Sequence, residues 1–222
     1  MRQYLLHLIQ AQHQREADSH PTEDLRAIEI SNRSLDESLS HFVFLKNDNI
    51  YHHKRVRFHF TTYDVRRGTD IVNAGTLRRD VMLLARDSKR SSSPHHFLYA
   101  RVLGAYHANV IYTGPGARDQ KPRRIHFLWV RWFEVIDPAS SGWSKSGLDL
   151  VQFPPMHQNS SFGFVDPRDV LRGCHILPAS AQGKRQADGV NVSPCAKDGE
   201  DYHFYYVGRC VQTWCGGFNV LI

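Results

Sequence analysis

Two hydrophobic rhythms divide the chain. Over residues 1–40 the apolar positions Leu5, Leu6 and Ile9, then Leu25 and Ile28, then Leu35 and Leu39, recur at helical spacing and are interrupted near Pro21. That pattern predicts a helical N-terminal arm. From residue 41 a period of two takes over. In "VRFHFTTYDV" (Val56–Val65), Val56, Phe58 and Phe60 alternate with Arg57, His59 and Thr61, as on a strand with one buried face. "DVMLLARD" (Asp80–Asp87) is a short apolar strand closed by the polar "SKRSSSP". "HFLYARVLGAYHANVIYTG" (His96–Gly114) is a long strand in which Gly104 predicts a bulge or bend.

The polar connector "PGARDQKPRR" then leads into "IHFLWVRWFEVID", ending at Asp137, so these two long segments predict a β-hairpin. On the second of them Phe127, Trp129, Arg131 and Phe133 share one side, and Leu128, Val130 and Trp132 the other. Both sides are largely apolar, which predicts a strand covered on both faces. "GLDLVQFPP" (Gly147–Pro155) reads as a strand stopped by its proline pair. "DPRDVLRG" (Asp166–Gly173) reads as one or two helical turns, with Asp166 as N-cap, Pro167 at N1 and Gly173 past the end. "CHILPA" follows as a short strand, residues 181–200 as loop, and "DYHFYYVGRCVQTWCGGF" as either a strand or a short helix. The expected organisation is a helical arm over 1–40, a mainly β domain over 41–180 and a loop-rich C-terminal extension over 181–222.

Composition narrows the classes without choosing one. In 222 residues, 41% are hydrophobic and 23% charged, an ordinary globular balance with enough length for a sizeable core. Lys and Arg number 28 against 22 Asp and Glu, a formal net charge of +6 that favours an acidic partner. No window is long and apolar enough for a membrane-spanning helix, and the start reads as an amphipathic helix and not a signal peptide. The 4 cysteines lie late and too sparsely for a disulfide scaffold, so a reducing, intracellular setting is expected.

Cys174, Cys195, Cys210 and Cys215 lack the close pairs of structural zinc sites, so no metal and no cofactor is expected. Neither a nucleophile elbow, nor a phosphate-binding loop, nor a dinucleotide fingerprint is present, and Asp166 and Asp169 are explained by capping. The expectation is a non-catalytic protein. Basic pairs recur instead, in "HHKRVR" (His52–Arg57), at 66–67, 78–79 and 89–90, and in "RDQKPRR" (Arg118–Arg124). Arg66, Arg67, Lys121, Arg123 and Arg124 are the residues expected to neutralise phosphates and release counterions.

Two resemblances add to this. The phrases "TTYDVRRGTDIVNAGT", "YARVLGAYHANVIYTGPG", "FLWVRWFE" and "SFGFVDPRDVLRGCHILPA", spread over roughly residues 50–180, resemble the C-terminal region of proteins encoded by Plavaka-type transposons of basidiomycete fungi, relatives of the CACTA/EnSpm group. After "YYV" the chain departs from that family and reads "GRCVQTWCGGFNVLI". A start at Met1 without the upstream transposase region reads as a fragment or a stand-alone derivative, working in a nucleus. The succession "DVMLLARD", "YARVLGAY", "VRWFEV", "DLVQF" and "VDPRDVLRGCHILP" is similar to the segment order of BAH (bromo-adjacent homology) domains, which are chromatin-binding β-barrels.

That second likeness implies a BAH-like barrel. It also implies an aromatic cage for a methylated histone lysine, with Tyr99, Trp132 and Phe153 as walls and Asp137 or Glu134 as acidic partner. A quaternary ammonium cannot donate hydrogen bonds, so ring faces would hold it by cation–π attraction. The same rings equally suit an ordinary core. The expected partners are DNA or a nucleosome's histone tail, together with transposase subunits, and no membrane. The competing expectation is a structural domain that scaffolds a transposase complex and binds neither.

Overall fold

A computed structural model describes residues 1–18, 39–62, 66–85, 97–117, 119–136, 148–186, 188–208 and 214–221. The protein is mainly β, with a large antiparallel sheet and one N-terminal helix, α1 (Arg2–Asp18). Eleven strands follow: β1 (Val43–His53), β2 (Val56–Thr62), β3 (Arg67–Val72), β4 (Asp80–Leu84), β5 (Phe97–Tyr112), β6 (Arg123–Val135), β7 (Leu150–Gln152), β8 (Phe162–Val165), β9 (Val170–Pro178), β10 (Tyr205–Gly208) and β11 (Trp214–Leu221). The large sheet has the order β1-β5-β4-β9-β10-β7-β6-β8, and β5 and β6 also pair with each other. A separate sheet has the order β11-β2-β3.

By contacts the chain forms two compact units, Met1–His52 with Tyr106–His126, and His53–Ala105 with Phe127–Ile222. In the first, Leu5, Leu6 and Ile9 form the buried face of α1, as their spacing predicts. Val43, Ala108, Val110, Tyr112 and Ile125 are the buried apolar strand positions of the same unit, and His107 is buried with them. The rest of the expected arm, residues 19–38, lies outside the described residues.

Among the described residues of the second unit, two hydrophobic clusters stand out. Val56 and Phe58 of β2 join Val72, Val81, Leu83, Ala100, Val102, Leu128, Val130, Val165 and Val170, with half-buried Trp132 against them. Tyr99, Phe133, Val151, Phe153, Cys174, Ile176, Tyr205 and Val207 form the other. β6 is buried on both faces, as its composition predicts. Its partner β8 brings Gly163 opposite Val130, where the Trp132 indole lies so close that a Cβ would collide with its Nε1.

Several expectations change at this level. β5 runs from Phe97 to Tyr112 as one strand through Gly104. The "DPRD" turn is a single 3-10 turn, capped as expected by Asp166, whose Oδ1 accepts from the Arg168 N–H at 2.9 Å. It stops because Val170 and Leu171 enter β9, so Gly173 lies inside a strand and ends no helix. "YYVG" and "WCGGFNVL" are both strands. β10 lies between β9 and β7, and β11 pairs with β2, so the tail expected to be an extension past residue 180 completes both sheets. Propensity left this region open. Pairing decided it.

Between β9 and β10, Asp198 gathers several donors of the loop. Asp198 accepts from the Ser193 N–H at 2.8 Å, the Val192 N–H at 3.0 Å and Gln186 Nε2 at 3.0 Å. Burial would push its carboxyl up, but these donors outweigh burial and hold it below the usual aspartate value. Its stabilisation is therefore complete above the unfolded value of about 3.9 and disappears as pH falls through the lower folded value. Urea midpoints measured from pH 5 down to pH 2 should fall less steeply in Asp198→Asn than in the unchanged chain. Next to it, Gly199 faces the Gly189 carbonyl so closely that an added Cβ would overlap backbone. Gly199→Ala should cost about 1–3 kcal/mol in chemical unfolding.

Candidate nucleic-acid interface

The β2–β3 ribbon divides its residues by alternation. Val56, Phe58 and Phe60 are buried, while Arg57, His59 and Thr61 occupy the other face. In register across the pair stand Ile71, Thr69 and Arg67. Among the described residues that outer face carries Arg57 and Arg67 with no carboxylate between them, and the His59 Nδ1 and Thr69 Oγ1 atoms are 3.0 Å apart at its centre. Exposed Lys54 and Arg55 lead into β2, Arg66 precedes β3, and exposed Arg78 follows it.

Asp70 is the one acidic side chain of β3, and it is committed elsewhere. Its Oδ2 accepts from Arg172 Nε and from the Gly173 N–H, both at 3.0 Å, while the Arg172 guanidinium lies 3.7 Å over the Phe60 ring. The ribbon therefore shows cations outward and neutralises its own anion inward. A face of this kind offers phosphate contacts from a rigid pair of strands.

The expected phosphate-binding residues separate into two groups. Arg66 and Arg67 belong to the ribbon. Lys121, Arg123 and Arg124 belong to the other compact unit, at the entry to β6. There Arg123 Nη2 lies 3.8 Å from Asp119, the Lys121 N–H donates to Asp119 at 3.3 Å, and Arg124 Nη2 lies 3.4 Å from His107 Nδ1. Lys54, Arg55, Arg57 and Arg78 complete the ribbon. Their basic pairs are visible in the sequence, but only strand pairing shows that they share one end of it. The pairs at 89–90 and Arg118 lie outside the described residues.

The expected histone cage is not assembled. Tyr99 and Phe153 are each 1% exposed and share one core, whereas Trp132 packs half-buried against the other. Tyr99 donates to Asp149 Oδ2 at 2.8 Å. Glu134 is exposed and in register with Gln152, and Asp137 lies outside the described residues. The correction has a physical basis: alternation assigns a ring to a face of its strand but does not say what covers that face.

A box of rings does exist, and the chain fills it itself. Phe133 and Phe153 stack with centroids 4.1 Å apart, and Tyr205 meets each edge-on at 5.5 Å. The Arg101 guanidinium lies 5.0–5.3 Å from all three centroids, and that of Arg131 lies 3.8 Å over Phe153. Arg101 grips Asp80 through Nε at 2.8 Å and Nη2 at 3.2 Å. Asp201 receives Arg131 Nη1 at 2.5 Å, Arg101 Nη1 at 3.7 Å and the Tyr205 hydroxyl at 3.2 Å.

Burial pushes the Asp201 carboxyl up, and the Arg131 and Arg101 charges oppose the rise. Burial works against the Arg101 cation, yet Asp80, with Tyr205 and Asp201, more than compensates and holds its pKa above the ordinary arginine value. This is an internal ion network with cation–π support. A covered strand predicts that Arg131 lies among apolar neighbours, but nothing local in the sequence names Asp201, 70 positions away, as its partner.

Of the four cysteines, Cys174 is buried and Cys195 exposed, both as free thiols. Among the described residues no helix is long and apolar enough to cross a membrane. No family model, no curated protein and no solved structure matches the chain.

Proposed function

We propose that this chain is a non-catalytic module that holds DNA in chromatin, working in the nucleus and derived from a transposon protein. One observation carries the reading. The outer face of β2–β3 gathers Arg57 and Arg67, with Lys54, Arg55 and Arg78 at one end and Arg66 at the other, while Asp70, the one carboxylate among the ribbon's described residues, is turned inward to Arg172. The non-catalytic part rests on the buried charges. Asp80, Arg101, Arg131 and Asp201 are committed to one another instead of facing a substrate. The pairing path β5-β4-β9-β10-β7-β6 with β6 back on β5 is compatible with a closed barrel, and its BAH-like character rests on the segment order alone. The transposon origin rests on the long phrases quoted above.

The test is a salt series with a short duplex. If the ribbon engages about five phosphates, affinity should fall roughly 500-fold between 50 and 200 mM salt, from a log–log slope of about −0.9 per phosphate. A flat salt response, or no binding at 50 mM, would remove the reading.

A second reading has its own observation. Leu177, Tyr206 and Leu150 stand in register across β9, β10 and β7, and Ile136 donates its N–H to Leu150 beside them. This row of apolar side chains, half or more exposed at Leu177, suits a protein-interaction domain scaffolding a transposase complex. Retention of duplex binding in Leu177→Lys would separate the two surfaces.

A further inference from the structure

At the end of the ribbon where β3 leaves for β4, a short turn displays a leucine. Leu77 is 89% exposed, the most exposed of the large apolar side chains described. A single exposed leucine is ordinary on any surface. Two further facts set this one apart.

The turn is tightly built. The Asn73 N–H donates to the Arg78 carbonyl at 2.8 Å and closes the loop, and the Thr76 N–H donates to the Asn73 carbonyl at 3.0 Å. Inside it the Gly75 N–H donates to Asn73 Oδ1 at 2.9 Å, and the Arg78 N–H to Thr76 Oγ1 at 3.2 Å. Leu77 thus projects from a backbone that cannot fold it back without breaking this set. Secondly, its surroundings are cationic. Arg78 follows it directly, and the Val56–Val72 register sets the entry to β2, with Lys54 and Arg55, beside the exit of β3.

An apolar tip followed by Arg78, at the end of the ribbon that carries Lys54 and Arg55, fits one partner chemistry well. Cations hold the two phosphate backbones, and the leucine enters between stacked bases from the minor groove, where its removal from water offsets part of the unstacking cost. We infer that Leu77 is a wedge that partly intercalates into duplex DNA and kinks it. The inference rests on the proposed DNA-binding function and adds a mechanism to it: the ribbon attaches, and the turn bends.

The test uses a short duplex carrying a fluorophore at each end, with the full chain. Binding by the unchanged protein should shorten the end-to-end distance, as a kink of about 20–90° requires. Leu77→Ala should bind with the same salt slope and an affinity reduced less than about tenfold, yet leave the duplex straight, and Leu77→Met should restore bending. Since the side chain is exposed, the variant's thermal unfolding should match that of the parent, which excludes misfolding as the cause. Binding without bending by the parent, or equal bending by Leu77→Ala, would overturn the wedge while leaving attachment intact. Absence of any duplex binding by the parent would instead overturn the attachment reading itself, and the wedge with it.

Discussion

Asp201→Ala should lower the free energy of unfolding by about 3–5 kcal/mol, because it strands the Arg131 guanidinium, 1% exposed, without an anion. The carboxylate is shared: Arg131, Arg101 and the Tyr205 hydroxyl all converge on it. Arg101 keeps Asp80, so most of the loss falls on Arg131, which among the described residues would retain the Phe153 ring. Denaturant unfolding followed by circular dichroism measures the loss. The double variant Arg131→Met with Asp201→Leu is the control. Removing both charges should recover part of the stability, making the pair non-additive by about 1 kcal/mol or more. Additive losses would show that the two groups act independently and that the short ion pair is not the source.

The second large effect concerns binding. Replacing Lys54, Arg55, Arg57 and Arg67 together with alanine should weaken duplex binding roughly 10³-fold at 0.1 M salt, if each neutralises one phosphate, and flatten the log–log salt slope by about 3.6. None of the four is buried, so folding should be unaffected. The matching triple variant at Lys121, Arg123 and Arg124 should change affinity little, since Asp119 and His107 already occupy two of those side chains. The reverse outcome would move the interface to the other compact unit.

Both effects depend on residues whose chemistry is plain in the sequence but whose setting is not. The alternation at Val56–Thr61 foretells which side of β2 is buried. The spacing of Leu5, Leu6 and Ile9 foretells the face of α1. Asp166 foretells a cap. Each of these is a local signal, complete within a few residues. The cage expectation came instead from the resemblance to BAH domains, and Tyr99 and Phe153 lie in one core while Trp132 packs against the other. Phe153 does form an aromatic wall, but the cation it faces belongs to Arg131 and Arg101 of the same chain. Likewise "YYVG" has no local mark that it closes the large sheet between β9 and β7.

From its own order of residues, the chain determines a helical start, a run of two-faced strands, a basic surplus and which side chains share a face of their strand. Tertiary pairing alone decided that Arg131 meets Asp201 across 70 positions, that Asp70 turns from the ribbon face to Arg172, and that the tail completes both sheets. The reason is that periodicity is set by neighbouring backbone geometry. The burial and partner of a charge, by contrast, depend on which strands close over it, and that is settled only when distant segments come into register.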